Sequence, residues 1–472
     1  MRLIPISLFD WNARTDPFLR ISDFIFSSRR ALTMISRTTI VAFAVASLGL
    51  FSSFARAQYP QYPSYYPAMP IGYLDSMDSI TDMGGCDEGC DGRCDAGCAE
   101  KATYAPHSVA CLCPTCRPRA MWASFDALLW WGKGRSMPAL VTTSPQGTDR
   151  DDAGVLDDPD TAIYFGNGGV GHDVAGGARA DFGFWFNHVE SLGMGARIWG
   201  IKGDTQGLVG VGPGGNPILA RPFYNVVSDE QDALLVSFPS VFDGGIDVET
   251  SSDLLATEAY LRAAILWGSG YNLDLVGGYS FMRFDDDLLI HSNSASTDPG
   301  GLVPVGTIFD ITDVFDARNE FHGGHLGLIG EVRRGCWSFR SLLKCSVGNM
   351  HQIVNIDGST TIVEPALAPV TNAGGLLALP TNIGSYSRDR VGWIPEFGFT
   401  VGYKPRRWLE LTAGYNVIWM SSVVLSGDQI DTGVNLSQSG GNPLIGPARP
   451  AFDFRETEYW MQGFTFGATV NF

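Results

Sequence analysis

Beyond its first 57 residues the chain has no run of 18 or more apolar residues, which excludes further helical membrane spans. Charge is sparse as well: Asp, Glu, Lys and Arg make up only 17% of the 472 residues, and 32 basic residues against 50 acidic ones leave a formal charge of -18. That balance excludes the basic patches that displace phosphate counterions, and with them nucleic acid as a partner. Histidine is scarce, and the pair His322-x-x-His325 on a strand points to opposite faces, so it cannot hold one metal ion from one side. No Gly-x-Ser-x-Gly occurs, and neither Gly169-Val170-Gly171 nor Gly212-Pro213-Gly214-Gly215 opens a helix that would cradle a phosphate. These shortages predict a protein that is not an enzyme and carries no cofactor.

What is present is glycine (57 residues) and aromatic side chains (12%), with a mean hydropathy near zero, too apolar for disorder. Arg29, Arg30 and Arg37 precede an apolar run from Thr39 to Phe51, and Ala55-Arg56-Ala57 offers a small-x-small cleavage site, so residues 1–57 read as an export signal with an extended basic region, translation from Met34 giving an ordinary one. Residues 58–85 begin as a Pro/Tyr-rich tether of polyproline character. In the next segment, 86–118, Cys86, Cys90, Cys94 and Cys98 recur every fourth residue, and Cys111, Cys113 and Cys116 follow. An exported chain meets an oxidising compartment, so these read as disulfide formers, and their odd number leaves at least one thiol either free or bonded to a disulfide-linked cell-surface partner. Four of the thiolates could also hold zinc, but neither series has the paired CxxC spacing, and no metal is assigned.

From Trp122 onward the texture becomes two-residue alternation, the signature of strands with one apolar and one wet face. Ten such segments are predicted, at 122–131, 178–186, 191–198, 255–267, 272–281, 325–332, 337–347, 391–403, 409–419 and 460–472. Tight links join the second to the third, the fourth to the fifth, the sixth to the seventh and the eighth to the ninth, whereas the other links run to about 35–50 residues, far above usual loop lengths. Short and long links in strict alternation predict an all-β fold over 119–472: a closed antiparallel up-and-down transmembrane barrel of about ten strands (8 to 12), with short periplasmic turns and long external loops. An open edge in lipid would strand backbone polar groups, which enforces closure. Part of the long link after the fifth segment, Ile308 to Phe315, also alternates and reads as an extra strand or an extension above the membrane. Asp285-Asp286-Asp287, just past the fifth segment, reads as a solvated acidic loop.

The wet face carries both signs: Asp126, Asp181, Glu258, Asp274, Glu331, Glu396 and Glu410 with Arg179, Arg197, Arg262, Arg340 and Lys344. Arg or Lys on the lipid side would cost about 2–4 kcal/mol at mid-membrane, and the carboxylates less, so these charges are expected to line the lumen. The last strand puts Phe464, Phe466, Val470 and the terminal Phe472 on its apolar face, a pattern similar to the signal by which the barrel-assembly machinery recognises its clients.

Several motifs in order add a resemblance. Trp130-Trp131-Gly132-Lys133-Gly134 with Pro138-Ala139-Leu140-Val141-Thr142-Thr143-Ser144-Pro145, then Asn319-Glu320-Phe321-His322-Gly323-Gly324, Gly348-Asn349-Met350-His351-Gln352-Ile353-Val354-Asn355-Ile356-Asp357-Gly358, Gly414-Tyr415-Asn416 and Gly427-Asp428-Gln429-Ile430-Asp431 resemble the beta-barrel porin-7 family across 122–472. The resemblance implies an outer-membrane barrel in contact with outer-membrane lipid and supplies no substrate, cofactor or catalytic residue. The expected function is a porin-like passive pore for ions or small solutes. The alternative is a barrel with a plugged lumen that anchors its loops and cysteine-rich segment at the cell surface.

Overall fold

The computed structural model describes residues 121–471, apart from 188, 189, 204, 269 and 407. The expected export signal, the tether, the seven clustered cysteines and Phe472 lie outside the described residues.

Ten strands form the wall: β1 (Met121–Gly132), β2 (Ala175–Trp185), β3 (Leu192–Lys202), β4 (Phe242–Gly268), β5 (Tyr271–Ser296), β6 (Ile308–Arg334), β7 (Trp337–Val363), β8 (Gly384–Arg406), β9 (Leu409–Val424) and β10 (Glu456–Asn471). Each pairs antiparallel with its neighbours in chain order, and β10 returns to β1 with Trp122 opposite Asn471 and Gly132 opposite Met461, so the sheet closes as a ring. All ten predicted segments fall on these ten strands. At the end where the four tight turns lie, Gly270 (φ 84°) and Gly335 (φ 60°) take the left-handed conformation that a short hairpin needs and that a Cβ would strain.

The outward face is apolar because it meets lipid. Phe125, Phe182, Leu326, Val347 and Val391 are all more than half exposed there. On β8, Tyr403 and Trp393 stand on this face ten residues apart. At about 3.3 Å per residue and a tilt of about 40° they mark a band about 25 Å tall, the height of the apolar belt of such barrels.

The expectation of simple external loops needs correction at β4 to β7. These strands run 27, 26, 27 and 27 residues, well past the roughly 9–11 that a tilted strand needs to cross the membrane. Ile308 to Phe315 is the distal part of β6, an extension above the membrane rather than a separate strand. Asp285-Asp286-Asp287 is likewise not a solvated loop: it lies inside β5, where alternation turns Asp285 and Asp287 outward and Asp286 inward to complete burial. A charged triplet keeps to a strand here because its middle member has a partner, Arg135.

The loops do not leave the tall wall empty. Strands Val141–Thr143, Ala162–Phe165, Leu219–Asn225 and Glu230–Ser237 form a small second sheet. Their Val141, Leu219, Phe223 and Val236 pack, together with Leu376, Leu377, Ala378 and Leu379, against the inward side chains Ile246, Val248, Leu288, Ile290, Phe315 and Ile356 of the wall extension. The loop end therefore has a core of its own.

Candidate functional site in the barrel lumen

Alternation fixes which side chains enter the lumen, and the layers can be followed from the turn end upward. All twelve charged residues expected on the wet face lie on the inner face. Nine of them line a cavity of about 390 Å³ that reaches the turn end: Asp126, Arg179, Asp181, Arg197, Arg262, Asp274, Glu331, Arg340 and Glu410. The other three, Glu258, Lys344 and Glu396, form its roof with Arg197.

That roof is a closed quartet. Arg197 Nη2 donates to Glu258 at 2.7 Å and to Glu396 at 2.6 Å, and Lys344 Nζ reaches both carboxylates at 2.6 Å. Two cations and two anions, all under 10% exposed, cancel where water is largely excluded. The geometry spans the barrel: β3 and β8, which carry Arg197 and Glu396, are five positions apart in a ring of ten, on opposite walls. Lower down, Arg179 pairs with Asp126 at 2.9 Å, Arg262 pairs with Asp274, and Ser338 donates to Glu410.

Directly above the quartet lies an apolar layer to which all ten strands contribute, among them Trp130, Trp199, Leu254, Phe284, Phe321, Met350, Ile394, Ile418 and Tyr459. Phe284 of β5 stacks on Tyr459 of β10, from opposite walls, with ring centroids 4.6 Å apart. Trp130 and Trp199 sit 5.5 Å apart, and the Trp130 indole N–H donates to Thr465. Each large side chain buried in this way adds about 1.5–3 kcal/mol. Together they make a septum across the bore.

The septum is absent from the sequence-based expectations, although a signal for it exists. At this height strict alternation fails and both faces are apolar: Leu128-Leu129-Trp130-Trp131, Ile198-Trp199, Leu254-Leu255, Ile418-Trp419-Met420 and Tyr459-Trp460-Met461. One side of each run meets lipid and the other meets the septum.

Above it, two buried ion pairs fasten the inward-folded loops to the wall. Arg135, in the short strand Arg135–Met137, pairs with Asp286 of β5, and Asp286 also accepts from the backbone N–H and hydroxyl of Ser426. Arg221 pairs with Asp313 of β6, whose Oδ1 also accepts the backbone N–H groups of Leu376, Leu377 and Ala378 at 2.7–2.9 Å. Each arginine and aspartate of these pairs is at most 1% exposed. His325 is buried on Ser280, while His322 stands outside beside Tyr279 and Phe281, so the two histidines lie on opposite faces. Among the described residues no cluster of His, Cys, Asp and Glu forms a metal site. Cys345 is free and faces outward, and Phe464 and Phe466 lie on the same lipid side, 44% and 49% exposed.

No curated protein matches the chain. Among solved structures it is similar to the outer membrane protease OmpT of Escherichia coli, at 10% identity over 75% of this chain and 97% of that one, with a TM-score of 0.36. It is also similar to the P. putida toluene transporter TodX, at 8% identity over 75% and 91%, with a TM-score of 0.19. Likenesses of this size carry nothing over to the lumen described above. The family match is of another order: the family described as Putative beta barrel porin-7 covers residues 122–472, from the first wall strand to the last, and the chain belongs to that family.

Proposed function

We propose that this protein is a plugged outer-membrane barrel without catalytic activity that anchors a folded extracellular layer at the cell surface, rather than a standing passive pore. One observation carries the reading. Side chains from opposite walls touch across the bore, Phe284 on Tyr459 and Arg197 on Glu396, within a buried layer to which all ten strands contribute. The loops favour the same reading, because they are fastened inside the wall extension by Arg135 and Arg221 and do not stand open above a mouth. Conduction through the bore would require the septum and the quartet to come apart together.

Planar-bilayer recording of the refolded chain tests this. The expected result is an electrically silent insertion, with currents appearing only when Phe284→Ala, Tyr459→Ala and Trp130→Ala in the septum are combined with Arg197→Ala and Glu396→Ala in the quartet. Stable single-channel steps from the unaltered protein, with an ion preference that Arg340→Glu reverses, would restore the passive-pore reading.

A further inference from the structure

The cavity beneath the quartet opens at the turn end, the periplasmic side of an outer-membrane barrel, and its charges do not all cancel in pairs. Arg179 is matched by Asp126, Arg262 by Asp274, Lys404 by Glu410, and the quartet is neutral within itself. Two members of the wall are not matched one to one. Glu331 is shared by two cations, Arg333 at 2.6 Å and Arg340 at 3.4 Å. The second contact is long, the Arg340 side chain is 32% exposed, and its Nε has no hydrogen-bond partner. Asp181 meets only neutral donors, the Trp122 indole N–H at 2.8 Å and the Tyr260 hydroxyl at 2.9 Å from both carboxylate oxygens. The cavity wall thus offers one under-neutralised cation and one under-neutralised anion.

We propose that this vestibule is a binding site for a small zwitterion, a free α-amino acid or the paired termini of a short peptide, with the carboxylate on Arg340 and the ammonium on Asp181. A simple anion would gain Arg340 and meet Asp181 uncompensated, since Glu410 is already matched by Lys404 at 3.5 Å; a simple cation would meet the reverse. A molecule carrying both charges satisfies both walls. The size agrees, since about 390 Å³ falls within the range of small-molecule sites and is ample for a dipeptide. The mouth also has apolar walls for a side chain: Trp122 and Trp185 lie with ring centroids 5.1 Å apart, and the Arg262 guanidinium sits 5.2 Å over Trp185. Glu190, in the β2–β3 turn, adds a carboxylate at the entrance that favours the ammonium end. Because the septum closes the other side, the ligand enters and leaves from the periplasmic face. The site needs no transport and is independent of whether the bore conducts.

The test is calorimetric titration of the full chain, refolded in detergent, with glycine, glycylglycine, N-acetyl-glycylglycine and glycylglycine amide, with quenching of the Trp122 and Trp185 region followed in parallel. Glycine or glycylglycine should bind saturably, and whichever binds tighter distinguishes a free amino acid from a peptide. Blocking either end should weaken binding by roughly tenfold or more, the change that loss of a charge-assisted hydrogen bond brings. Arg340→Gln should bind the dipeptide no better than the wild type binds its amide, and Asp181→Asn no better than the wild type binds its acetylated form. Equal binding of blocked and unblocked dipeptides, binding unaffected by both substitutions, or no binding of glycine and glycylglycine overturns the proposal. The blocked ligands on the unaltered protein decide the matter even where a variant does not refold.

Discussion

Replacing Arg197 by methionine removes one of the two cations from the quartet and leaves Glu258 and Glu396 facing a single ammonium, Lys344. The stem volume is kept, so the change is electrostatic rather than a cavity. The three remaining side chains are 4–5% exposed, so little water reaches them to replace the lost contacts. Breaking a buried ion pair from one side costs about 3–5 kcal/mol, whereas replacing both members by apolar groups is often close to neutral. Arg197→Met is therefore expected to destabilise the barrel by about 3–5 kcal/mol. Adding Glu396→Gln, which returns the remaining group to neutrality, should recover most of that, so the two substitutions couple by more than about 1 kcal/mol, as groups within one network do. Reversible urea unfolding from lipid vesicles, followed by tryptophan fluorescence and completed as a double-mutant cycle, measures both quantities. A single mutant within about 1 kcal/mol of the parent, or strict additivity of the pair, would refute the claim that the four side chains act as one buried network.

Three further outcomes are expected. Arg135→Met leaves Asp286 buried with only Ser426 to answer it, so the plug should loosen: the Arg135–Met137 segment and its flanking loop become accessible to added protease while the membrane ring stays protected on the same gel. Asp287, outward on the wall extension above the membrane ring, is pushed up to about 6, first by burial and then by Asp316, Asp285, Asp286 and Asp253. Its folded value lies above the ordinary carboxylate value, so the folded state takes up the proton more readily: the destabilisation is fully present above pH 6 and fades as pH falls through 6 toward 4. Asp287→Asn should accordingly raise the unfolding midpoint at pH 8 more than at pH 5, and an equal shift at both would count against the burial. Phe466→Arg places a charge on the lipid face midway along β10 and should cost about 2–4 kcal/mol in the same urea assay, whereas Phe466→Leu should be nearly silent.

Strand positions and their facing were legible because they depend on period two and on the contrast between lipid and lumen, both local properties. Phe182 and Arg179 on one strand already announce which way each must point. Ring closure was legible for a related reason, since no open edge survives in lipid. The strand ends were less so. β4 to β7 continue past the membrane, where the outer face becomes polar and the inner face apolar, and the reversed pattern around Asp247-Val248-Glu249 and Asp286-Asp287-Leu288 reads as a loop when no partner for it is known.

Taken alone, the residues of this chain determined ten membrane strands, a closed barrel and an inward set of charges, because backbone satisfaction and the aversion of lipid to charge act on each strand separately. Which charges cancel was decided only in three dimensions. Arg197 and Glu396 are 199 positions apart in sequence and meet because the register and width of the ring bring opposite walls within reach. Phe284 and Tyr459 close the bore for the same reason. A side chain's partner across a lumen is a property of the diameter, and no strand contains the diameter.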